Sequence, residues 1–150
     1  MAVRPVPEGF HTVTPYLTVH GATELLQFLK DAFLAQETEC MRSPDGRVQH
    51  AEVQVGDSRI MLGEAKQKHP PRPSTLYLYV DDVDLWVQRA VAACGQVLEE
   101  LEDKFYGDRT GAVSGPAGNH YYMATHMEDL DPAELERRAL LEMGDSDAAP

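Results

Sequence analysis

The feature that most constrains this chain is internal repetition. Sliding the sequence along itself until Thr14 meets Thr75 lays Thr14–Phe33 (TPYLTVHGATELLQFLKDAF) on Thr75–Cys94 (TLYLYVDDVDLWVQRAVAAC), with six identities in twenty positions: Thr14/Thr75, Tyr16/Tyr77, Leu17/Leu78, Val19/Val80, Gln27/Gln88 and Ala32/Ala93. Roughly one or two would arise by chance, and a period of this length marks one supersecondary unit used twice. With one further slip, GDSRIM from Gly56 falls on GNHYYM from Gly118. The units run over about 10–65 and 74–127, so the fold must be built from two similar halves rather than from one continuous pattern.

Each half has the same grammar. Thr14–Val19 alternates and is rich in β-formers, which predicts a strand. Ala22–Phe33 puts Leu25, Phe28, Leu29, Ala32 and Phe33 at helical spacing. Strands are expected over 37–43, 47–55 and 58–63, separated by the Pro44-Asp45-Gly46 and Gly56-Asp57 turns. In the second half the strands fall at 75–80, 96–100, 110–114 and 120–125, with a helix capped by Asp84 and running to Cys94. The pattern is βαβββ twice, an α+β architecture. Lys66–Pro73 (KQKHPPRP) reads as an extended linker between the halves. Asp131-Pro132 starts a C-terminal helix carrying Leu135, Ala139, Leu140 and Leu141, an apolar stripe suited to the body or to a second subunit, and 144–150 reads as a frayed end. The organisation is thus one domain over 1–130 followed by an acidic helix and tail over 131–150.

Composition narrows the function classes. Thirteen basic residues face 25 acidic ones, a net charge of −12, and half of it lies in residues 128–150. That sign speaks against nucleic acid and anionic membrane as partners. No apolar run approaches the ~20 residues of a membrane span, and the opening MAVRPVPEGF has no apolar signal core. Cys40 and Cys94 stand far apart in the chain without a CxxC, which fits a reduced, cytoplasmic setting better than a disulfide framework. Neither is flanked by the basic residues that would favour a thiolate. Cys94 reads as core on a helix face and Cys40 as a strand residue near an edge. HExxH, GxSxG, P-loop and GxGxxG motifs are all absent.

The paired βαβββ grammar, with the strings TPYLTV…ELLQFLKDAF, PDGRVQHAEVQVGDSRIMLGEA, STLYLYVDDVD, FYGDRTGAVSGPAGN and YYMATHMEDL, resembles the vicinal oxygen chelate superfamily of glyoxalase I, extradiol dioxygenases and bleomycin-resistance proteins, and within it the PhnB-like branch. The resemblance covers about Pro7–Leu130. It implies two modules whose mixed, curved sheet carries helices on one side and a cavity on the other, commonly completed by a homodimer. One scaffold hosts many chemistries here, so the likeness speaks to fold more than to function. Alternation then assigns Leu17, Val19, Leu76, Leu78, Val80, Ala51, Val53 and Val55 to the helix side. Thr14, Tyr16, Thr18, Thr75, Tyr77, Tyr79, His50, Glu52 and Gln54 face the cavity.

Metal-dependent members place His or Glu at the start of the first strand and within the last strand of each module. The corresponding residues are Thr14, Thr75, about Ile60, and Tyr122, none of them a ligand that Zn²⁺, Fe²⁺ or Mn²⁺ prefers. No metal and no other cofactor is therefore expected. His50 and Glu52 share a strand face as a hydrogen-bonded polar pair; as a relocated metal site they would need a third ligand such as His120. His11, His20, His69 and His126 read as surface or capping residues, and Trp86 as core. Tyr16, Tyr77, Tyr79 and Tyr122 line the cavity and Tyr106 its rim, suiting a flat or amphipathic organic ligand; a subunit interface would also use them. Arg109 either pairs with Asp108 to hold the loop or meets a ligand anion at the mouth. The leading expectation is a metal-free small-molecule binder with pocket residues Tyr16, Thr18, His50, Glu52, Tyr77, Tyr79, Tyr106, Arg109 and Tyr122. The alternatives are an isomerase- or lyase-type enzyme with Glu52 or His50 as general base, and an interaction module working through the acidic C-terminal helix.

Overall fold

The computed structural model describes residues 2–148. The first unit comprises β1 (Tyr16–Val19), α1 (Ala22–Phe33), β2 (Gln36–Arg42), β3 (Val48–Val55) and β4 (Ser58–Glu64). The second comprises β5 (Thr75–Tyr79), α2 (Val83–Ala92), β6 (Gln96–Asp103), β7 (Asp108–Ser114) and β8 (His120–His126), followed by α3 (Pro132–Ala148). Each unit forms its own four-stranded mixed sheet, in the orders β1-β4-β3-β2 and β5-β8-β7-β6. The first strand runs parallel to the last, and the other neighbours are antiparallel.

The first and last strands of the two units keep the offset that lays Thr14 on Thr75, without the extra slip read from GDSRIM and GNHYYM, while the strands between them stand one residue short of it: His50 pairs with Gly63, and Thr110 with Ala124. Tyr16 pairs with Met61, and Tyr77 with Tyr122. Met61, not Ile60, is therefore the counterpart of Tyr122. Ile60 and its true counterpart Tyr121 both lie buried on the helix side, and in a strand a slip of one residue moves a side chain to the opposite face.

Both helices begin at the end of the first strand and are held there by the same position of the last strand. In unit one the Glu64 carboxylate accepts from the N–H groups of Gly21 (3.1 Å) and Ala22 (3.0 Å). In unit two its counterpart at the same offset, Thr125, accepts from the Val83 N–H at 2.8 Å and donates to the Val80 carbonyl at 2.9 Å. The N-cap of α2 is Asp82, whose side chain accepts from the Leu85 N–H. Asp84, read from sequence as the cap, sits in the first turn, because the strand ends earlier and Val83 must enter the core.

The helix-bearing sides of the two sheets share one core. Leu25, Leu29 and Ala32 of α1 and Ala90 of α2 are fully buried, and the two helices pack together. At the junction Phe33 stacks on Trp86 (5.8 Å between centroids, planes at 20°) and meets Tyr121 edge-on at 5.1 Å. Phe28 lies 5.5 Å from the same Tyr121. Gly115 makes this possible: a Cβ there would press into both Phe28 and Tyr121. Cys94, expected in the core, is exposed with φ 76° just past the end of α2. The chain must leave the helix there in a left-handed conformation, which turns the side chain outward.

α3 begins as its sequence foretells, with Asp131 Oδ1 accepting from the Glu134 N–H at 2.8 Å. It continues through Ala148 rather than fraying at Gly144. A lone glycine costs a helix only about 1 kcal/mol and ends it chiefly by adopting positive φ, which Gly144 does not. Residues 149–150 of the expected tail lie outside the described part. Leu140 and Leu141 remain exposed. No helix among the described residues is long and apolar enough to cross a membrane.

Replacing Phe33 by Ala removes the ring on which Trp86, Tyr121 and Phe28 converge. The expected loss is about 3–5 kcal/mol, read as a lower urea midpoint with an unchanged slope. A loss below about 1 kcal/mol, well under the usual cost of emptying an aromatic core site, would show that the two units do not depend on this junction.

Candidate functional site

Because the helix sides are joined, the opposite faces of both sheets look outward. The tyrosines read from sequence stand there, and they are open: Tyr16 and Tyr77 are each 49% exposed and Tyr79 is 65% exposed. Within one chain the candidate residues form two separate clusters, one per sheet.

On the first face, Tyr16 and Thr18 from β1 meet His50 from β3 around a cavity of about 350 Å³ that also takes in Met41, Gly63 and His69. The Tyr16 ring lies across Gly63, where any Cβ would run into its hydroxyl. The hydroxyl shares a hydrogen bond with His50 Nδ1 at 3.2 Å. His50 Nε2 stands 3.5 Å from Glu52 Oε1, so the expected polar pair is present and extends to Tyr16. Glu52 also lines a cavity of about 480 Å³ under the N-terminal segment, with Phe10 and Met61. That segment is fastened by the Arg59 guanidinium, 4.6 Å from the Phe10 ring centroid.

On the second face, Tyr77 lies parallel to Tyr122 (centroids 6.3 Å, planes at 2°) and tilts against Tyr79 at 5.3 Å. Tyr79 sits beside fully buried Ala124, its partner in β8, and reaches on to β7, where its hydroxyl donates to Asp108 Oδ2 at 2.9 Å. Tyr106 joins from the loop before β7. That loop comes close because Gly107 (φ 99°) lets it run against the Glu128 backbone, where a Cβ would collide. The Tyr77 hydroxyl is held well above the usual tyrosine range, first by burial and then by Tyr106, Tyr79 and Asp108. The same four groups therefore converge. Tyr79 is also raised, chiefly by its bond to Asp108.

Two residues of this cluster escape a reading of the sequence. Asp108 is only 4% exposed, and one of its oxygens binds His126 Nδ1 at 2.7 Å. His126 Nε2 binds Asp129 Oδ1, also at 2.7 Å. The strand reading from Thr110 stops short of β7's true start at Asp108. Extending the alternation would place Asp108 on the same face as Thr110 and Ala112. The same alternation removes Arg109 from the pocket. Its Nε donates to Asp84 Oδ1 at 2.8 Å and its Nη1 to Asp103 Oδ1 at 3.0 Å, on the helix side. Arg109 does hold the loop, but through those two acids rather than through Asp108.

The donor set does not fit the metal that the fold family implies. Thr14 lies before β1 and donates its hydroxyl to the His11 carbonyl. By register the other positions are Thr75, Met61 and Tyr122. His120, the third ligand considered for His50 and Glu52, belongs to the other sheet, where it pairs with Ser114. Among the described residues no three His, Cys, Asp or Glu side chains are placed to hold one ion.

These two faces, on paired βαβββ units, are the geometry of a known class. The model of the Glyoxalase/Bleomycin resistance protein/Dioxygenase superfamily matches residues 9–121, and the chain belongs to that superfamily. It is similar to an uncharacterised protein of Mycobacterium bovis, 31% identical over 144 residues and covering 89% of this chain and 94% of that one. A similar uncharacterised protein of Mycobacterium tuberculosis is also 31% identical, covering 89% and 84%. Among solved structures, TioX from Micromonospora sp. ML1 aligns with a TM-score of 0.68 at 19% identity over 78% of this chain and 99% of that one. A PhnB protein from Bacillus cereus, described as a putative 3-demethylubiquinone-9 3-methyltransferase, aligns at 0.62 and 18% identity over 77% and 99%. These structural likenesses speak to the fold.

Two measurements check the clusters. The Asp108 and Asp129 carboxylates raise the His126 pKa above its ordinary value. The stability from this pair is therefore full below the unfolded value of about 6.5 and is lost as pH rises through the higher folded value. An NMR titration of His126 should give a midpoint above the ordinary value of 6.5, and Asp108→Asn should lower it. Gly63→Ala should push Tyr16 off His50, erasing the contact between their rings at a cost of about 1–3 kcal/mol. An unchanged ring contact would refute the packing described.

Proposed function

We propose that this protein binds a small organic molecule without a metal ion, on the tyrosine-bearing face of its second unit. One observation carries the reading: two tyrosine rings are exposed to solvent and yet held in fixed relation, Tyr77 by Tyr122 and Tyr79 by the buried Asp108. Exposed rings with restrained hydroxyls give contact area at low entropic cost. In one chain the face is open, so a homodimer is the arrangement that would enclose the ligand. Superfamily membership and the unsuitable donor set support a binder. The test is native mass spectrometry against a library of aromatic and amphipathic compounds, with recovery of the ligand. A bound compound recovered unaltered, and no transition metal retained at one ion per chain after loading with Zn²⁺, Ni²⁺, Fe²⁺ or Mn²⁺, is the expected result. Chemical turnover of the ligand, or one tightly held ion per chain, overturns it.

A second reading rests on the first face, where Tyr16, His50 and Glu52 form a continuous polar chain. Such a chain could move a proton in an isomerase- or lyase-type reaction. That reading requires Glu52→Gln to abolish turnover of a substrate that still binds.

A further inference from the structure

We propose that the ligand of the second face is an organic cation, a protonated or quaternary amine on an apolar body, received against the rings of Tyr77, Tyr79, Tyr106 and Tyr122 with the Asp108 carboxylate behind them. This rests on the binder reading above and gives it a ligand class.

Aromatic faces carry negative potential and attract cations most strongly where water is excluded. Four tyrosines on one face supply that potential. Behind them stands the Asp108 carboxyl group, which solvent barely reaches at 4% exposure, so its field is little screened. Its orientation is fixed from two sides, by the Tyr79 hydroxyl and by His126 Nδ1. The rim adds Asp129 and Glu128. The basic side chains nearby are already committed: Arg109 to Asp84 and Asp103, Lys104 to Glu102, and Arg138 to Glu128 and Glu134. The first face is different, for Arg59, Lys66, His50 and His69 stand on or beside it.

The corner also holds a titratable base of its own. His126 lies between Asp108 on β7 and Asp129 on the connector to α3, close to Tyr79 of β5, and both carboxylates favour its protonated form. A ligand cation and the His126 proton draw on the same carboxylate field. Binding should therefore strengthen as pH rises through the His126 titration and the imidazolium is lost.

The experiment compares two probes of nearly the same shape, choline and its neutral isostere 3,3-dimethylbutan-1-ol, by NMR titration of the protein with labelled tyrosines. The expected result is a shift of the Tyr77, Tyr79, Tyr106 and Tyr122 rings, with choline bound roughly tenfold more tightly. Asp108→Asn should shrink that ratio, and His126→Gln should flatten the pH dependence while the fold, judged by the remaining spectrum, is kept. The native comparison needs no variant. Equal affinity for both probes overturns the cation assignment and leaves the binder reading intact. Shifts confined to Tyr16 and its neighbours, or no shift at these four rings, overturn the site itself.

Discussion

The structure depends on one junction, the stack of Phe33 on Trp86 with Tyr121 and Phe28 wedged beside it. Neither sheet can bury its helix side alone. α1 reaches past its own sheet to a ring on β8, and α2 supplies the indole that covers Phe33. Once the two helix sides are joined there, the other faces have nowhere to point but outward. The candidate surfaces are what the core leaves over.

The halves are alike in scaffold and unlike in chemistry. Glu64 and Thr125 fasten their helices from the same register position with different groups, a carboxylate in one and a hydroxyl in the other. In both faces a first-strand tyrosine crosses a small residue of the last strand, Gly63 or Ala124, to bond a polar group on the third. Tyr16 finds an imidazole and Tyr79 finds a carboxylate. The two bonds use different positions, for Tyr16 corresponds to Tyr77 rather than Tyr79 and His50 to Thr110 rather than Asp108, so the scaffold is shared while the contacts on it have drifted apart.

Most of the fold is legible in the sequence because period-2 and period-3.6 patterns are local and the duplication states them twice. Strand and helix order, the buried sides of β1, β3 and α1, and the outward side of Tyr16, Tyr77 and Tyr79 follow from these patterns. The reading fails where alternation is lost or cut short. A single slip puts Ile60 on the wrong face, since a shared Gly and Met outweigh the register. Asp108 and Arg109 exchange roles because β7 starts earlier than its β-formers announce. His126 is the surface residue the sequence announces, but its two carboxylate partners, one on a neighbouring strand and one past the end of its own, are not legible there. Such contacts are set by the tertiary structure and leave no periodic trace.

The C-terminal helix has a mechanical consequence. Arg138 of α3 donates to the Phe105 carbonyl at 3.2 Å and pairs with Glu128. The N–H groups of Met127 and Glu128 both bond the Gly107 carbonyl. The helix is thus tied on either side of Tyr106 to the loop that carries it. Leu140 and Leu141 stay uncovered on its outer stripe. The placing of Tyr106 at the lip of the tyrosine face thus depends on a helix that lies outside both sheets, through the single side chain of Arg138.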